Sequence, residues 1–146
     1  MGKKTAMEQV VMVAGVKESS AAKSLADVVG EHTKVQAQYD QIQQYRTEYR
    51  NHFEQISQAG MDGRQMAEYR RFLTGLDDAI EQQRGRVVAS EKRVDQSRSD
   101  WTAEYQRKKS LDQFVASQKQ IHQAQVDKAE QKAVDEMVGQ SSSQAT

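Results

Sequence analysis

The chain has 146 residues, of which 36% are hydrophobic and 29% are charged, and its mean hydropathy is −0.90. So little apolar material excludes a thick globular core, but it suffices for a thin seam between two helices. The 21 basic and 21 acidic residues cancel, which removes a general attraction to nucleic acid. The absence of cysteine excludes a disulfide framework and a thiolate site.

The first residues resemble a signal peptide only faintly. Lys3 and Lys4 precede the apolar run VVMVAGV over residues 10–16, but Lys17 and Glu18 follow that run at once. The run is short for a signal peptide, and a membrane-spanning helix needs about 20 apolar residues. We therefore expect neither feature in this sequence.

A heptad seam runs from residue 25 to residue 56. Its steps alternate between three and four residues, which keeps one narrow stripe of a helix against a partner helix, as in a coiled coil. The seam extends more weakly backwards to Met7, so we predict a first helix over about residues 4–58. The seam positions are Leu25, Val28, His32, Val35, Tyr39, Ile42, Arg46, Tyr49, Phe53 and Ile56.

The segment SQAGMDGR, residues 57–64, carries the strong turn signal of the chain interior. One of its glycines, Gly60 or Gly63, suits a left-handed C-terminal cap, and Asp62 can cap the next helix. The pattern predicts a turn at about residues 58–64.

A second seam follows the turn and predicts a helix over about residues 64–138. Ser90 and Ser97 are polar seam positions, where we expect weaker adhesion between the helices. The final segment, GQSSSQAT over residues 139–146, is small and polar and is expected to be disordered. The clearest seam positions are Met66, Tyr69, Leu73, Leu76, Ile80, Gln83, Val87, Ser90, Val94, Ser97 and Trp101.

Two long helices joined by a short turn must run antiparallel. The predicted fold class is therefore all-α, a single long antiparallel two-helix coiled-coil hairpin over residues 1–138. The numbers of facing residues near the turn add to about 122, which places Phe53 near Tyr69. His32 and Arg46 interrupt the seam and are interpreted as marks of register or orientation.

No constellation in the sequence points to catalysis. The three histidines lack metal-ligand spacing, and no glycine-rich phosphate loop is present. Asp77 and Asp78 point about 100° apart on a helix, so we interpret them as a solvated face. We expect a protein that is not an enzyme and that binds no cofactor, metal or nucleic acid. Five arginines near the turn favour ionic contact with an acidic protein surface: Arg46, Arg50, Arg64, Arg70 and Arg71.

Two quartets of residues form stripes, each with two members on the seam and two to one side of it. Each has the spacing i, i+4, i+7, i+11, so its members lie on one helical face. A wide core stripe and an exposed patch for docking a partner both fit this spacing. The quartets are Gln38, Ile42, Tyr45 and Tyr49 on the first helix, and Phe72, Leu76, Ala79 and Gln83 on the second.

The sequence resembles the flagellar FliJ family. The resemblance is carried by YRTEYR at residues 45–50, EYRRFLTGLDDAIEQQ at residues 68–83, the single Trp101, and DQFVASQKQ at residues 112–120. It covers about residues 25–138 and is strongest from residue 38 to residue 83.

The resemblance implies a cytoplasmic component of the flagellar type III export apparatus, peripherally associated with the inner membrane. In such a protein, the end that carries the termini enters the hexameric export ATPase and promotes its assembly. The turn-proximal half contacts the cytoplasmic part of the membrane export-gate protein, and family members also handle export chaperones. The gate-contacting surface maps onto the two quartets, where Ile42 and Gln83 depart from the expected residue types.

Three other functions stay open at this point. The chain could escort late export substrates or their chaperones without needing the ATPase. It could be a self-associating structural coiled coil. It could also serve an injectisome rather than a flagellum, a distinction that the residues do not make.

Overall fold

Two long α-helices make up the regular structure of the chain. The structure, a computed structural model, describes residues 5–144. Helix α1 spans Ala6–Ala59 and helix α2 spans Gly63–Gln144, with no strand in the described range. Contacts between the two helices confirm the predicted all-α hairpin.

Reciprocal caps fix the start of each helix. The Thr5 hydroxyl accepts from the Glu8 amide, and the Glu8 carboxylate accepts from the Thr5 amide, both at 3.1 Å. Asp62 does the same for α2, since its carboxylate accepts from the Gln65 amide at 2.8 Å. Such capping boxes satisfy backbone donors that a helix leaves unpaired at its first turn.

The turn adopts the geometry that its sequence predicts. Gly60 follows α1 with a φ of 107°, a left-handed conformation that costs glycine little. Asp62 is the N-cap of α2, as its place in the sequence suggested. The turn is tighter than expected, because only residues 60–62 lie between the two helices.

Helix α2 extends past its predicted end. The sequence predicted disorder from residue 139, whereas the structure keeps residues 139–144 helical. Gly139 costs about 1 kcal/mol relative to alanine, but a single glycine does not stop a helix when no proline follows. Residues 145 and 146 lie outside the described range.

The chain divides into two compact units. The turn-proximal unit comprises residues 19–102 and therefore contains the turn with the adjoining parts of both helices. The terminal unit comprises, within the described range, residues 5–18 and 103–144. No described helix carries an apolar stretch long enough to cross a membrane.

The core of the turn-proximal unit is the predicted seam. Nine of the ten α1 seam positions are buried or half-buried, and the tenth, Ile56, is 40% exposed because it lies close to the turn. The α2 seam positions from residue 66 to residue 101 are all buried or half-buried. The buried positions of this seam are Val35, Tyr69, Leu76, Val87, Ser90 and Val94.

A polar layer crosses this seam at His32 and Ser90. Ser90 is 2% exposed, and its hydroxyl donates to the Val87 carbonyl at 2.8 Å. The Ser90 oxygen therefore accepts from Nδ1 of His32, 2.7 Å away. This layer therefore joins the two helices by a hydrogen bond, and the pair supports the interpretation of His32 as a register mark.

The terminal unit has a thinner core. Ala14 is 3% exposed, and Val11, Leu111 and Val115 are half-buried. From residue 116 to residue 143 only Val126 is partly covered. This part of α2 therefore has little apolar contact within its own unit.

Candidate docking site

The two quartets meet across the helix interface of the turn-proximal unit. The Gln83 side-chain amide donates to the Gln38 side-chain carbonyl at 3.3 Å. The ring centroids of Tyr49 and Phe72 lie 4.4 Å apart. In both pairs the residue numbers add to 121, and the same register sets Ile42 opposite Ala79 and Tyr45 opposite Leu76. The eight residues thus form one continuous surface, which we call the docking strip.

Exposure is graded across the docking strip. Leu76 is 8% exposed and belongs to the core, whereas Tyr45 is 50% and Phe72 43% exposed. Gln38 is exposed, and the remaining members are half-buried. The strip is therefore partly core and partly exposed surface. The two possibilities that the spacing allowed, a wide core stripe and an exposed docking patch, each describe part of it.

A cluster of aromatic rings holds the exposed edge of the strip in place. Tyr49 lies 6.3 Å from Tyr45 and stacks on Tyr69 at 5.0 Å between centroids. Phe53, one turn after Tyr49 on α1, also stacks on Tyr69, with 3.4 Å between centroids. Because each ring packs on another, the outermost rings are oriented before any partner arrives.

Tyr69 is the central ring of this cluster and carries an unusual hydroxyl. The residue is 9% exposed, and its buried oxygen has no hydrogen-bond partner among the described residues. Burial raises the pKa of Tyr69 above its ordinary value, with a further increase from Tyr49, and nearby Arg50 and Arg46 act in the opposite direction.

An ion pair also joins the two helices of the turn-proximal unit. Nε of Arg46 donates to the Asp77 carboxylate, and this hydrogen bond, with the charge of Asp77, raises the pKa of Arg46. Asp77, interpreted from the sequence as part of a solvated face, keeps 49% of its side chain exposed but also pairs with Arg46. Its carboxylate satisfies the charge that Arg46 brings into the seam, and no sequence signal on Asp77 alone indicated this.

Most of the basic cluster near the turn is neutralised within the chain. Arg50 lies 3.7 Å from Glu54, and Arg64 lies 3.6 Å from Glu68, each one helical turn away. Arg70 and Arg71 have no ion pair with any residue from 5 to 144. An acidic partner for this cluster stays a prediction, supported by those two arginines.

Two open depressions adjoin the docking strip. One, of about 490 Å³, lies along α1 beside Tyr45 and is bordered by Gln41 and Glu48. The other, of about 510 Å³, lies at the turn between Tyr49, Phe72 and Met61. Both are shallow surfaces that would accept protruding side chains of another protein.

No chemistry beyond contact is visible at this site. Over residues 5–144, no group of three or more histidine, cysteine, aspartate or glutamate side chains could hold a metal ion. Tyr69 and the two glutamines of the strip, Gln38 and Gln83, bring polar atoms to this surface. The arrangement suits the recognition of a protein surface.

The sequence matches the family model described as Flagellar FliJ protein over residues 3–146. The chain belongs to the flagellar FliJ family. A search of curated proteins finds no match. Membership in the FliJ family gives the chain a role in flagellar protein export.

The sequence grouped the eight strip residues into two quartets but did not show that the quartets face each other. It assigned Tyr69 to the seam alone, although Tyr69 also joins the two quartets through its stack on Tyr49. The signal in the sequence was the sum of about 122 for the numbers of facing residues near the turn. The paired quartet residues add to 121, so this rule would have placed the two quartets opposite each other.

Proposed function

We propose that this FliJ-family protein couples the hexameric flagellar export ATPase to the cytoplasmic part of the membrane export gate. In this proposal the docking strip contacts the gate protein, and the terminal unit enters the ATPase ring and promotes its assembly. The observation that carries the proposal is the oriented aromatic edge of the strip, where Tyr45 and Phe72 are half exposed. Large aromatic side chains held in place by packing are typical anchors of protein interfaces.

The terminal unit offers a surface suited to the second contact. An open groove of about 680 Å³ lies between the start of α1 and α2, with Met7, Val11 and Val115 on its walls. Beyond it, α2 has exposed apolar side chains, including Ile121 and Met137. Apolar surface of this kind gains free energy when a partner covers it.

The gate contact is tested by Tyr45→Ala combined with Phe72→Ala. Both side chains are about half exposed, so we expect the helical circular dichroism signal to be nearly unchanged. Binding to the purified cytoplasmic domain of the gate protein should fall by at least tenfold, since each interface anchor contributes about 2 kcal/mol or more. A loss of helicity instead would assign these residues to the core.

A separate measurement tests the ATPase contact. The purified chain should raise both hexamer formation and ATP turnover of the cognate export ATPase, because a protein that binds the ring better than its subunits shifts assembly by mass action. The double variant should retain this effect, since its substitutions lie in the turn-proximal unit. No stimulation at stoichiometric excess of the unchanged chain would contradict this half of the proposal.

A further inference from the structure

Glu48 is a charged side chain at the edge of the docking strip, and it makes few contacts within the described residues. It is exposed, and its carboxylate accepts one hydrogen bond, from the Gln44 side-chain amide at 3.3 Å. No cation among residues 5–144 lies within ion-pair distance of it. Other carboxylates near the turn, such as Glu54 and Glu68, do have arginine partners.

The carboxylate borders the same depression as the exposed ring of Tyr45. Glu48 follows Tyr45 by three residues, so the two side chains are neighbours on the surface of α1. The rest of this depression is uncharged, with Gln38, Gln41 and Ile42 among its walls. A negative group and an aromatic face therefore lie side by side on the strip.

No basic residue belongs to the docking strip. The arginines nearest Glu48 along α1, Arg46 and Arg50, pair with other carboxylates. In the observed register the α2 residue Arg71 is level with Arg50, but it makes no ion pair with any residue from 5 to 144. The Glu48 carboxylate therefore keeps its charge available for a cation of a partner.

We infer that Glu48 and Tyr45 together form a subsite for a lysine or arginine side chain on the protein that docks on the strip. The cation would pair with the Glu48 carboxylate and lie against the Tyr45 ring, which attracts positive charge through its π face. This inference rests on the proposed function. It adds that the partner carries a positive charge where it meets one end of the strip. The partner surface that meets the α1 edge is therefore basic.

The test compares Glu48→Gln with the unchanged full-length chain, using the cytoplasmic domain of the export-gate protein as the probe. Glutamine keeps the helix propensity and the side-chain length, so only the charge is lost. Binding should weaken about two- to fivefold, the range expected for an exposed ion pair. Glu48→Lys should weaken it further, because two cations would then face each other.

Salt dependence separates charge from shape. Between about 50 mM and about 300 mM salt, the affinity of the unchanged chain should fall more than that of Glu48→Gln, since the variant lacks a screened pair. Glu91→Gln is the matched control, because Glu91 is an exposed carboxylate of α2 outside the strip. The control should bind as tightly as the unchanged chain.

The outcomes distinguish this inference from the proposed function. If the unchanged chain binds the gate domain and Glu48→Gln binds equally well at both salt concentrations, the basic subsite is overturned while the gate contact stands. If the unchanged chain does not bind the gate domain at all, the gate contact and the subsite fall together. A selective loss in Glu48→Gln and Glu48→Lys, with Glu91→Gln unaffected, supports both.

Discussion

At the scale of single residues, Tyr69 shows how packing and hydrogen bonding compete in a thin core. Its ring joins the aromatic cluster, but its buried hydroxyl has no partner in the described part of the chain. A buried unsatisfied hydroxyl costs about 1–3 kcal/mol, so we predict that Tyr69→Phe raises the free energy of unfolding by about 1 kcal/mol at neutral pH. Urea denaturation followed by circular dichroism measures this change.

The same substitution has a predictable pH dependence. Because the pKa of Tyr69 is raised in the folded state, the unfolded chain loses its proton first as the pH rises above the ordinary value of 10.0. The contribution of Tyr69 to the free energy of unfolding is therefore fully present below pH 10 and is lost as the pH rises towards the raised pKa. Tyr69→Phe should lose less stability than the unchanged chain over that interval. Tyr39→Phe is the control, since the Tyr39 hydroxyl accepts from Gln43 at 2.9 Å, and equal behaviour of the two variants would contradict the prediction.

At the scale of the helices, two glycines should respond to alanine with opposite signs. Gly60 has a φ of 107°, so Gly60→Ala forces a left-handed conformation and should destabilise the chain by about 1 kcal/mol or more. Gly85 lies inside α2, and a Cβ built there meets no atom within 4 Å. Gly85→Ala should therefore stabilise the chain by about 0.5–1 kcal/mol. Thermal unfolding of both variants measures these changes in stability. If both substitutions change the stability in the same direction, the turn or the helix is not as described.

At the scale of the whole molecule, the docking strip should matter to motility more than to folding. A deletion strain that expresses Tyr45→Ala with Phe72→Ala should swim far less than one that expresses the unchanged chain, at equal protein levels in immunoblots. Val29→Ala with Val88→Ala is the control, since these side chains are 40% and 43% exposed and lie off the strip. Full motility of the strip variant would contradict a role of the strip in export, whereas reduced protein levels would indicate a folding defect.

Burial patterns explain how much of this fold could be predicted. The alternation of three and four residues predicted both helices and every buried position of the turn-proximal unit, because the seam of a two-helix coiled coil depends on a local, periodic pattern in the sequence. Gly60 and Asp62 gave the turn for an equally local reason. The end of α2 was predicted six residues early, at 138 rather than Gln144, because small polar residues permit disorder without requiring it.

The sequence by itself determined the helices, the turn, the seam and the family resemblance, since each depends on residues that are close together in the chain. Only the tertiary structure decided the pairing of residues far apart in sequence. It joined His32 to Ser90 and Arg46 to Asp77, and it joined the two quartets into one strip around Tyr69. The physical reason is that a side chain's partner across an interface depends on the register of two helices, which the turn and the whole seam fix together.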